Sequence, residues 1–206
     1  MEYFSVIAAI LLVDFLALVS PGPNFVLVSS AAVAQSRKQA IATACGIAAG
    51  SFAWAAAAAL GIVSILEVFP VLGLILKVVG VVYLIYLGGK LLRSKGFQAA
   101  ETVGLKAGGL SKGFWSGFLV NMTNPKSAAY YASVFAAFVS PQMPLWVLVV
   151  LVCSIALMSA AWHILLAVGL SAAPIKVRYI LVSKYVDRLC GGLLILLGLK
   201  LAWDAK

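Results

Sequence analysis

Two polar, proline-containing motifs interrupt apolar sequence in this chain: Ser20-Pro21-Gly22-Pro23-Asn24 and Asn121-Met122-Thr123-Asn124-Pro125-Lys126. Each motif lies inside an apolar segment of roughly 28–32 residues, whereas a straight membrane span needs about 20. Proline removes a backbone donor and clashes with the preceding helical turn, so we predict that both segments are helices broken at mid-membrane. Two such breaks, in corresponding positions of the two halves, indicate the binding site of a transporter.

Composition predicts a membrane protein. The chain is 64% hydrophobic and 10% charged, with a mean hydropathy of +1.12. Soluble domains carry about 25% charged residues, so this chain has too little polar surface to coat a soluble globule. The net charge of +9 comes from short basic stretches between apolar segments, with no basic patch interleaved with aromatics. We therefore predict an all-α integral membrane protein and no nucleic-acid partner.

Six apolar segments divide the chain, at about 3–34, 40–66, 68–90, 113–140, 144–173 and 180–203. The first, third and fifth connections carry the lysines and arginines, whereas the second has only Glu67 and the fourth has no charge. By the positive-inside rule the basic connections are cytoplasmic, which places both termini outside. The first segment has no basic residue before it and contains Asp14, so we predict a retained span rather than a signal peptide.

The six segments are predicted to form one transmembrane domain, 1–206, built from two three-segment repeats. Residues 1–92 and 113–206 are the repeats, and 93–112 is a polar cytoplasmic linker. An odd number of spans in each repeat gives the two repeats opposite topology, which is an inverted repeat. A short internal sequence similarity supports this prediction. Asp14-Phe15-Leu16 begins six residues before Ser20 of the first motif, and Gly117-Phe118-Leu119 begins six residues before Thr123 of the second.

Small residues inside the segments are assigned packing roles. Gly46-x-x-x-Gly50 and Gly113-x-x-x-Gly117 are predicted to be faces on which two helices approach closely. The three cysteines, at 45, 153 and 190, stand alone in apolar sequence and are read as small core residues. Neither a redox motif nor a metal site is predicted from them.

Asp14 is the most informative charged residue, because it lies about eleven residues into the first segment. A carboxylate at that depth is costly and normally faces a cavity or a partner. We interpret it as a counter-charge for an ammonium group or as a proton carrier. The alternative is a structural ion pair with Lys77 or Lys126.

Each break is predicted to restart a helix. In Ser20-Pro21 and Asn124-Pro125 the first residue is a good N-cap and the second fits the first helical position. The restarted end exposes amides and a partial positive charge, which suit a substrate carboxylate. Gly22 would permit close approach of that group. Neutral hydrogen bonds would come from three further motif residues, Asn24, Asn121 and Thr123.

Further candidates follow from their positions in the segments. Lys126 follows the second break and is interpreted as attracting the substrate carboxylate, the alternative being a lysine that snorkels to an interface. Asp187-Arg188 is interpreted as an interface pair or a gate. For His163, a structural hydrogen bond and a proton relay both stay open. The candidate cavity-lining residues are Trp54, Tyr130, Tyr131, Trp162 and His163.

Other functions have less support in the sequence. Export of a metal ion or of another small polar metabolite is the main alternative, but the segments offer one His and few carboxylates as ligands. An intramembrane enzyme would need a nucleophile–base pair, and Ser20 has no His near it in sequence. Thiol–disulfide electron transfer would need cysteines at the broken helices. We predict a transporter rather than an enzyme, without a cofactor.

The chain resembles the LysE/RhtB family of bacterial amino-acid exporters over nearly its whole length. The resemblance rests on the two motifs, on 34–38 (AQSRK), on 46–50 (GIAAG) and on 117–121 (GFLVN). Within the family, Trp54 and the Tyr185-Val186-Asp187 stretch are most similar to threonine-efflux members.

The resemblance implies an exporter in the bacterial cytoplasmic (inner) membrane that is driven by the proton gradient and favours amino acids of the threonine or homoserine type. It implies no cofactor. Relatives often carry Asp where this chain has Asn24, which leaves Asp14 as the carboxylate at mid-membrane in the first segment. The sequence leaves the oligomeric state open, a homodimer included. The implied site residues are Pro21, Gly22, Pro23, Asn24, Asn121, Asn124, Pro125 and Lys126.

Overall fold

Eight α-helices account for most of the chain that the structure describes. The structure is a computed structural model that describes residues 2–20, 22–34, 36–68, 70–95, 109–140, 142–170 and 173–204. No strand occurs in these ranges, which confirms the predicted all-α class. The helices are α1 (Glu2–Val19), α2 (Pro23–Ala34), α3 (Arg37–Val68), α4 (Pro70–Leu92), α5 (Leu110–Met122), α6 (Pro125–Phe138), α7 (Leu145–Gly169) and α8 (Ala173–Asp204).

Both predicted helix breaks are present. The first predicted segment is divided into α1 and α2, which are bent by 56° relative to each other, and the fourth is divided into α5 and α6. Two connections are more helical than predicted. Helix α3 continues to Val68, and α8 begins at Ala173, so that Lys176 and Arg178 lie on a helix rather than in a connection. Lysine and arginine are good helix formers, and Pro174 is tolerated in the first turn.

Length and hydropathy identify some of the predicted membrane spans. Within the described residues, 37–62 and 145–169 are long and apolar enough to cross a membrane, and the bent pair α1–α2 would make a third span. Helix α4 contains a shorter apolar stretch, Val78–Leu92. The total of six spans therefore stays a prediction.

Helix α3 lies at the centre of the packing and contacts α2, α5, α6 and α7. The predicted glycine faces bring α3 and α5 together: a Cβ on Gly46 would overlap the Phe114 carbonyl oxygen, and one on Gly117 would overlap that of Thr43. Helices α4 and α8 also approach closely, because a Cβ on Gly88 would lie 2.6 Å from the Gly191 carbonyl oxygen. Both predicted small-residue faces are thus confirmed as packing faces.

A layer of polar side chains separates two apolar cores. The larger core includes Ile10, Phe135 and Leu151, and the smaller one includes Phe25 and Leu166. Helices α3 and α7 contribute to both cores, and the residues of these helices that lie between their two contributions include serines and a histidine. The buried polar residues of this layer are Asp14, Ser20, Ser51, Asn121, Asn124, Ser159 and His163. The helix breaks lie at this layer, which positions the candidate site.

Candidate functional site

The helix that follows the first break begins two residues later than the sequence suggests. Helix α1 ends at Val19 and α2 begins at Pro23, where the Gly22 carbonyl oxygen accepts the Val26 N–H at 2.9 Å. Gly22 therefore takes the N-cap position that we predicted for Ser20, and Pro23 rather than Pro21 takes the first helical position. Pro21 itself lies outside the described residues. The prediction of a proline-initiated helix holds, but its start differs by two residues.

The second break has the predicted N-cap. Helix α5 ends at Met122 and α6 begins at Pro125, and the Asn124 side-chain oxygen accepts the Lys126 N–H at 3.0 Å. Thr123 does not take part, because its side chain is exposed and its hydroxyl donates to the Leu119 carbonyl oxygen at 2.7 Å. The Asn124–Pro125 cap is thus confirmed, whereas Thr123 lines neither of the two cavities described below.

Lys126 joins the two breaks. Its Nζ donates to the Ala17 carbonyl oxygen at 3.3 Å and to the Ser20 Oγ at 3.4 Å. Ala17 lies in the last turn of α1, where unpaired carbonyls carry a partial negative charge that favours a cation. Tyr83 of α4 adds a second link, since its hydroxyl donates to the Lys126 carbonyl oxygen at 3.3 Å. Lys126 therefore links the second break, at the start of α6, to the first break, at the end of α1.

Asp14 is buried on α1, with 2% of its surface exposed. The hydroxyl groups of Tyr130 and Tyr131 on α6 lie beside its carboxyl group, although the Tyr130 hydroxyl forms no hydrogen bond within the described part of the chain. Within the same part of the chain, Asp14 Oδ2 and Asn24 Oδ1 also have no hydrogen-bond partner. Buried polar atoms without partners are rare, because each costs free energy, so a group of three indicates a place where a donor can bind.

These unpartnered oxygens belong to residues that line one small cavity of about 50 Å³. A cavity needs roughly 10–15 Å³ to hold one water molecule. The small cavity therefore has room for several molecules of the size of water. Its polar lining comes from α1, α2, α3, α6 and α7 and from the two breaks. The lining includes Asp14, Ser20, Asn24, Ser51, Asn124, Lys126, Tyr130, Tyr131 and His163.

A second cavity, of about 1010 Å³, adjoins the first at the two breaks. Both cavities are lined by Ser20, Gly22, Pro23, Asn124 and Lys126. Away from the breaks, the larger cavity is bounded by the C-terminal part of α4 and by α8, with the charged residues Lys90, Arg93 and Asp187. Its volume is at the upper end of the roughly 300–1,000 Å³ of small-molecule sites.

Asp187 lies at the wall of the larger cavity. It is buried, and its Oδ2 accepts the Ser94 hydroxyl at 2.5 Å, while the Ser20 hydroxyl also interacts with its carboxyl group. Arg188, next to it in sequence, is exposed. Asp187 thereby connects α8 with the first break and with the end of α4, which is a suitable position for the predicted gate. The side chain of Lys77 lies outside the described residues.

A hydrogen-bonded chain runs from the second break to α7. Asn121 Nδ2 donates to the Ile47 carbonyl oxygen at 2.6 Å and to the Ser51 Oγ at 2.9 Å. Ser51 Oγ lies 3.1 Å from the Ser159 Oγ, and the latter lies 3.4 Å from His163 Nδ1. Ser51 also interacts with the Tyr131 hydroxyl, which joins this chain to Asp14. Our sequence reasoning missed Ser51 and Ser159, because a single serine in an apolar helix gives no local signal.

The two candidate tryptophans lie next to the cavities but do not line them. Trp54 Nε1 donates to the Asn121 carbonyl oxygen at 3.2 Å and so braces the second break. The Trp162 ring meets Phe15 edge-on at 6.2 Å between centroids, and its buried Nε1 has no partner within the described ranges. Of the five candidate lining residues, Tyr130, Tyr131 and His163 line the small cavity.

These features define a helical membrane protein with a polar cleft between two broken helices. The chain belongs to the LysE type translocator family, whose profile matches residues 15–205. This finding confirms the family resemblance that the two motifs carry.

Several curated relatives are efflux proteins. The chain is 33% identical to the threonine efflux protein of Salmonella typhi over 185 residues, which cover 88% of this chain and 90% of that protein. It is 31% identical to the threonine efflux protein of Escherichia coli K12, with the same coverage. The leucine efflux protein of Salmonella choleraesuis is 34% identical over 128 residues, or 60% of this chain and 58% of that protein. No solved structure matches the chain.

Proposed function

We propose that this chain is a secondary transporter that exports a small neutral amino acid, of the threonine or homoserine type, in exchange for protons. One observation carries the proposal: the large cavity and the small polar cavity meet at the two broken helices. Broken helices that face each other supply both signs of partial charge and unpaired backbone groups at one place. A zwitterion needs such a site, and the family and the named efflux relatives agree with it.

The carboxylate of the substrate is proposed to bind at Lys126. An ammonium group has three donors, and two of the donors of Lys126 are directed to Ala17 and Ser20. The third is available to a carboxylate at the N-terminal end of α6, where the helix dipole adds to the attraction. Gly22 favours this approach, because a Cβ placed on it would lie 3.7 Å from Lys126 Nζ and would narrow the gap.

The ammonium group of the substrate is proposed to bind at the opposite side of the small cavity. The three unpartnered oxygens there belong to Asp14, Asn24 and Tyr130, and each can accept a hydrogen bond. Asn24 contributes a neutral acceptor where an Asp would add a second negative charge. One carboxylate facing one ammonium group favours a neutral amino acid over a dibasic one. At about 50 Å³ the cavity must widen to admit the substrate.

The proposed inverted repeat is consistent with part of the helix packing. In the proposed repeat, helices α1–α4 correspond in order to helices α5–α8. The contact of α3 with α5 then corresponds to that of α7 with α1, and the contact of α3 with α6 corresponds to that of α7 with α2. All four contacts occur. The contacts of α3 with α7 and of α4 with α8, which correspond to themselves, are also present. The contacts of α4 with α6 and of α2 with α3 have no comparable counterpart among the described residues, so the packing supports two repeats related by a pseudo-two-fold axis only in part.

The direction of transport is proposed from the charges. Lys90 and Arg93 bound the larger cavity, and both belong to the basic connection that the positive-inside rule assigns to the cytoplasm. The larger cavity would then open to the cytoplasm, with both termini outside. Rocking of the two repeats would close the larger cavity and expose the substrate to the outside. After the substrate leaves, Asp14 would bind a proton there, and the protein would return to the cytoplasm-facing state with that proton.

Metal-ion export has less support from the geometry. Among the described residues, no three His, Cys, Asp or Glu side chains come close enough to hold a metal ion. A site for Mn or Zn needs such a set of ligands. The polar layer offers hydroxyl and amide groups instead, which suit an organic zwitterion.

Transport by the purified protein in proteoliposomes tests the proposal. The vesicles are loaded with labelled threonine at neutral pH and diluted into acidic or neutral buffer, with homoserine, leucine and lysine as competitors. We expect efflux that accelerates in acidic buffer, that collapses with an uncoupler, and that homoserine inhibits more strongly than lysine. Vesicles containing the Asp14→Asn protein serve as the matched control.

Two outcomes would contradict parts of the proposal. If folded protein released none of the amino acids tested, the amino-acid assignment would fall. If efflux were equally fast with and without the pH gradient, amino-acid export would stand and proton antiport would fall.

A further inference from the structure

We propose that His163 is the second proton-exchanging group of the transport site and works as a pair with Asp14 across the small cavity. This inference rests on the proposed proton antiport and deepens it. It assigns a role that the motifs do not indicate, because His163 lies on α7, far in sequence from both breaks. Three features of the structure support it.

The first feature is the orientation of the imidazole ring. His163 Nδ1 lies 2.8 Å from the Ser159 backbone carbonyl oxygen, which can only accept a hydrogen bond. Nδ1 must therefore carry a proton in the neutral ring, and we assign the lone pair to Nε2. Among the described residues, none forms a hydrogen bond to Nε2. The ring is thus held by one nitrogen and can gain or lose a proton at the other.

The second feature is the shared cavity. His163 and Asp14 both line the cavity of about 50 Å³, and both are about 98% buried. One Asp14 oxygen, Oδ2, has no hydrogen-bond partner in the described part of the chain. A proton that binds at Nε2 gives an imidazolium whose Nδ1–H bond to Ser159 is retained. Its transfer to the Asp14 carboxylate leaves a neutral imidazole and a neutral carboxylic acid, so charge and protons balance.

The third feature is the set of charged and titratable groups around the pair. Tyr130 and Tyr131 of α6 face Asp14, and Lys126 of α6 lines the same cavity. Helix α3 presents Ser51, which is neutral. Lys126 is thus the one lysine or arginine side chain in this described lining. A substrate carboxylate that pairs with Lys126 would change the net charge of this lining, which would link proton exchange to substrate binding.

The variant His163→Asn separates this role from a structural one. The side-chain amide of asparagine reproduces a donor at the position of Nδ1 and so keeps the bond to Ser159, but it has no basic nitrogen. Cys153→Ala, an exposed position on α7 outside the polar layer, is the matched control. Each protein is reconstituted and measured in two assays: efflux driven by a pH gradient, and exchange of labelled for unlabelled threonine at equal pH.

Exchange does not require a net proton movement, whereas driven efflux does. We expect His163→Asn to keep exchange within about twofold of wild type and to lose at least tenfold of the acceleration by the pH gradient. Cys153→Ala should match wild type in both assays.

Two results would overturn the proposal. If the pH gradient accelerated efflux by the His163→Asn protein as much as by the wild-type protein, the imidazole would exchange no proton. Loss of exchange together with driven efflux would assign His163 to substrate binding or to the fold. Absence of threonine transport by the wild-type protein would instead refute the proposed function, which keeps the two failures apart.

Discussion

The close approach of α3 and α5 gives the most direct test of the architecture. In the variant Gly117→Ala, the new methyl group would overlap the Thr43 carbonyl oxygen and would lie 3.1 Å from the Ile47 amide nitrogen. Both atoms belong to the α3 backbone, so no side chain can move aside. The helices must then separate by on the order of 1 Å to restore normal contact distances. Gly192→Ala on α8 is the matched control, because no atom of the described residues lies within 4 Å of its added Cβ.

The expected cost follows from two opposing effects. Replacing a helical glycine by alanine favours the helix by up to about 1 kcal/mol, and this gain applies to both variants. Forcing a methyl group into a filled interface costs roughly 1–3 kcal/mol, and this cost applies only to Gly117→Ala. We therefore expect Gly117→Ala to be less stable than Gly192→Ala by about 1–3 kcal/mol. The separation would also lengthen the bonds of Asn121 to Ile47 and Ser51, so transport should fall as well.

The assay is thermal unfolding in detergent, followed by size-exclusion chromatography of the protein that stays soluble after heating. Gly117→Ala should melt several degrees below Gly192→Ala, and Gly192→Ala should equal or exceed wild type. If the two variants melt together at or above the wild-type temperature, the two helices do not meet at Gly117 and the packing of the polar layer described above is wrong.

Three further predictions address the site. Asp14→Asn should abolish driven export and leave the melting temperature unchanged; full export by this variant would remove Asp14 from the mechanism. Lys126→Met should raise the KM for threonine by about 10- to 100-fold, because a hydrogen bond to a charged group contributes about 1.5–3 kcal/mol, and a change below twofold would contradict a carboxylate site at Lys126. In a background without native cysteines, Gly89→Cys in the large cavity should react with an impermeant thiol reagent from the cytoplasmic side and be protected by threonine. Gln142→Cys, in the connection predicted to be outside, should react only from the opposite side, and reaction of both variants from one side would refute the proposed orientation.

The sequence alone determined the features that depend on local stereochemistry. Proline cannot continue a helix, so the two motifs predicted the breaks, and Asn124 followed by Pro125 predicted the observed N-cap. Composition predicted an all-α membrane protein, because so few polar residues cannot coat a soluble globule. The glycine spacing predicted the faces on which α3 and α5 pack, since only residues without side chains allow such an approach.

Tertiary structure decided where local rules permit more than one answer. A helix tolerates proline throughout its first turn, where the amides have no partner, so starts at Pro21 and at Pro23 were equally allowed. In the folded chain α2 begins at Pro23. In the same way, Thr123 can donate to its own helix or to a substrate, and its exposed position leaves it bonded to Leu119.

The polar layer itself was decided only by the assembly of the helices. Ser51, Ser159 and His163 lie on two helices whose apolar sequence gives no sign that their polar residues meet. They come together because α3 and α7 cross between two apolar cores, and buried polar groups must find partners there. The sequence thus determined where the helices break, and the packing of the helices against each other determined which side chains face the resulting cavity.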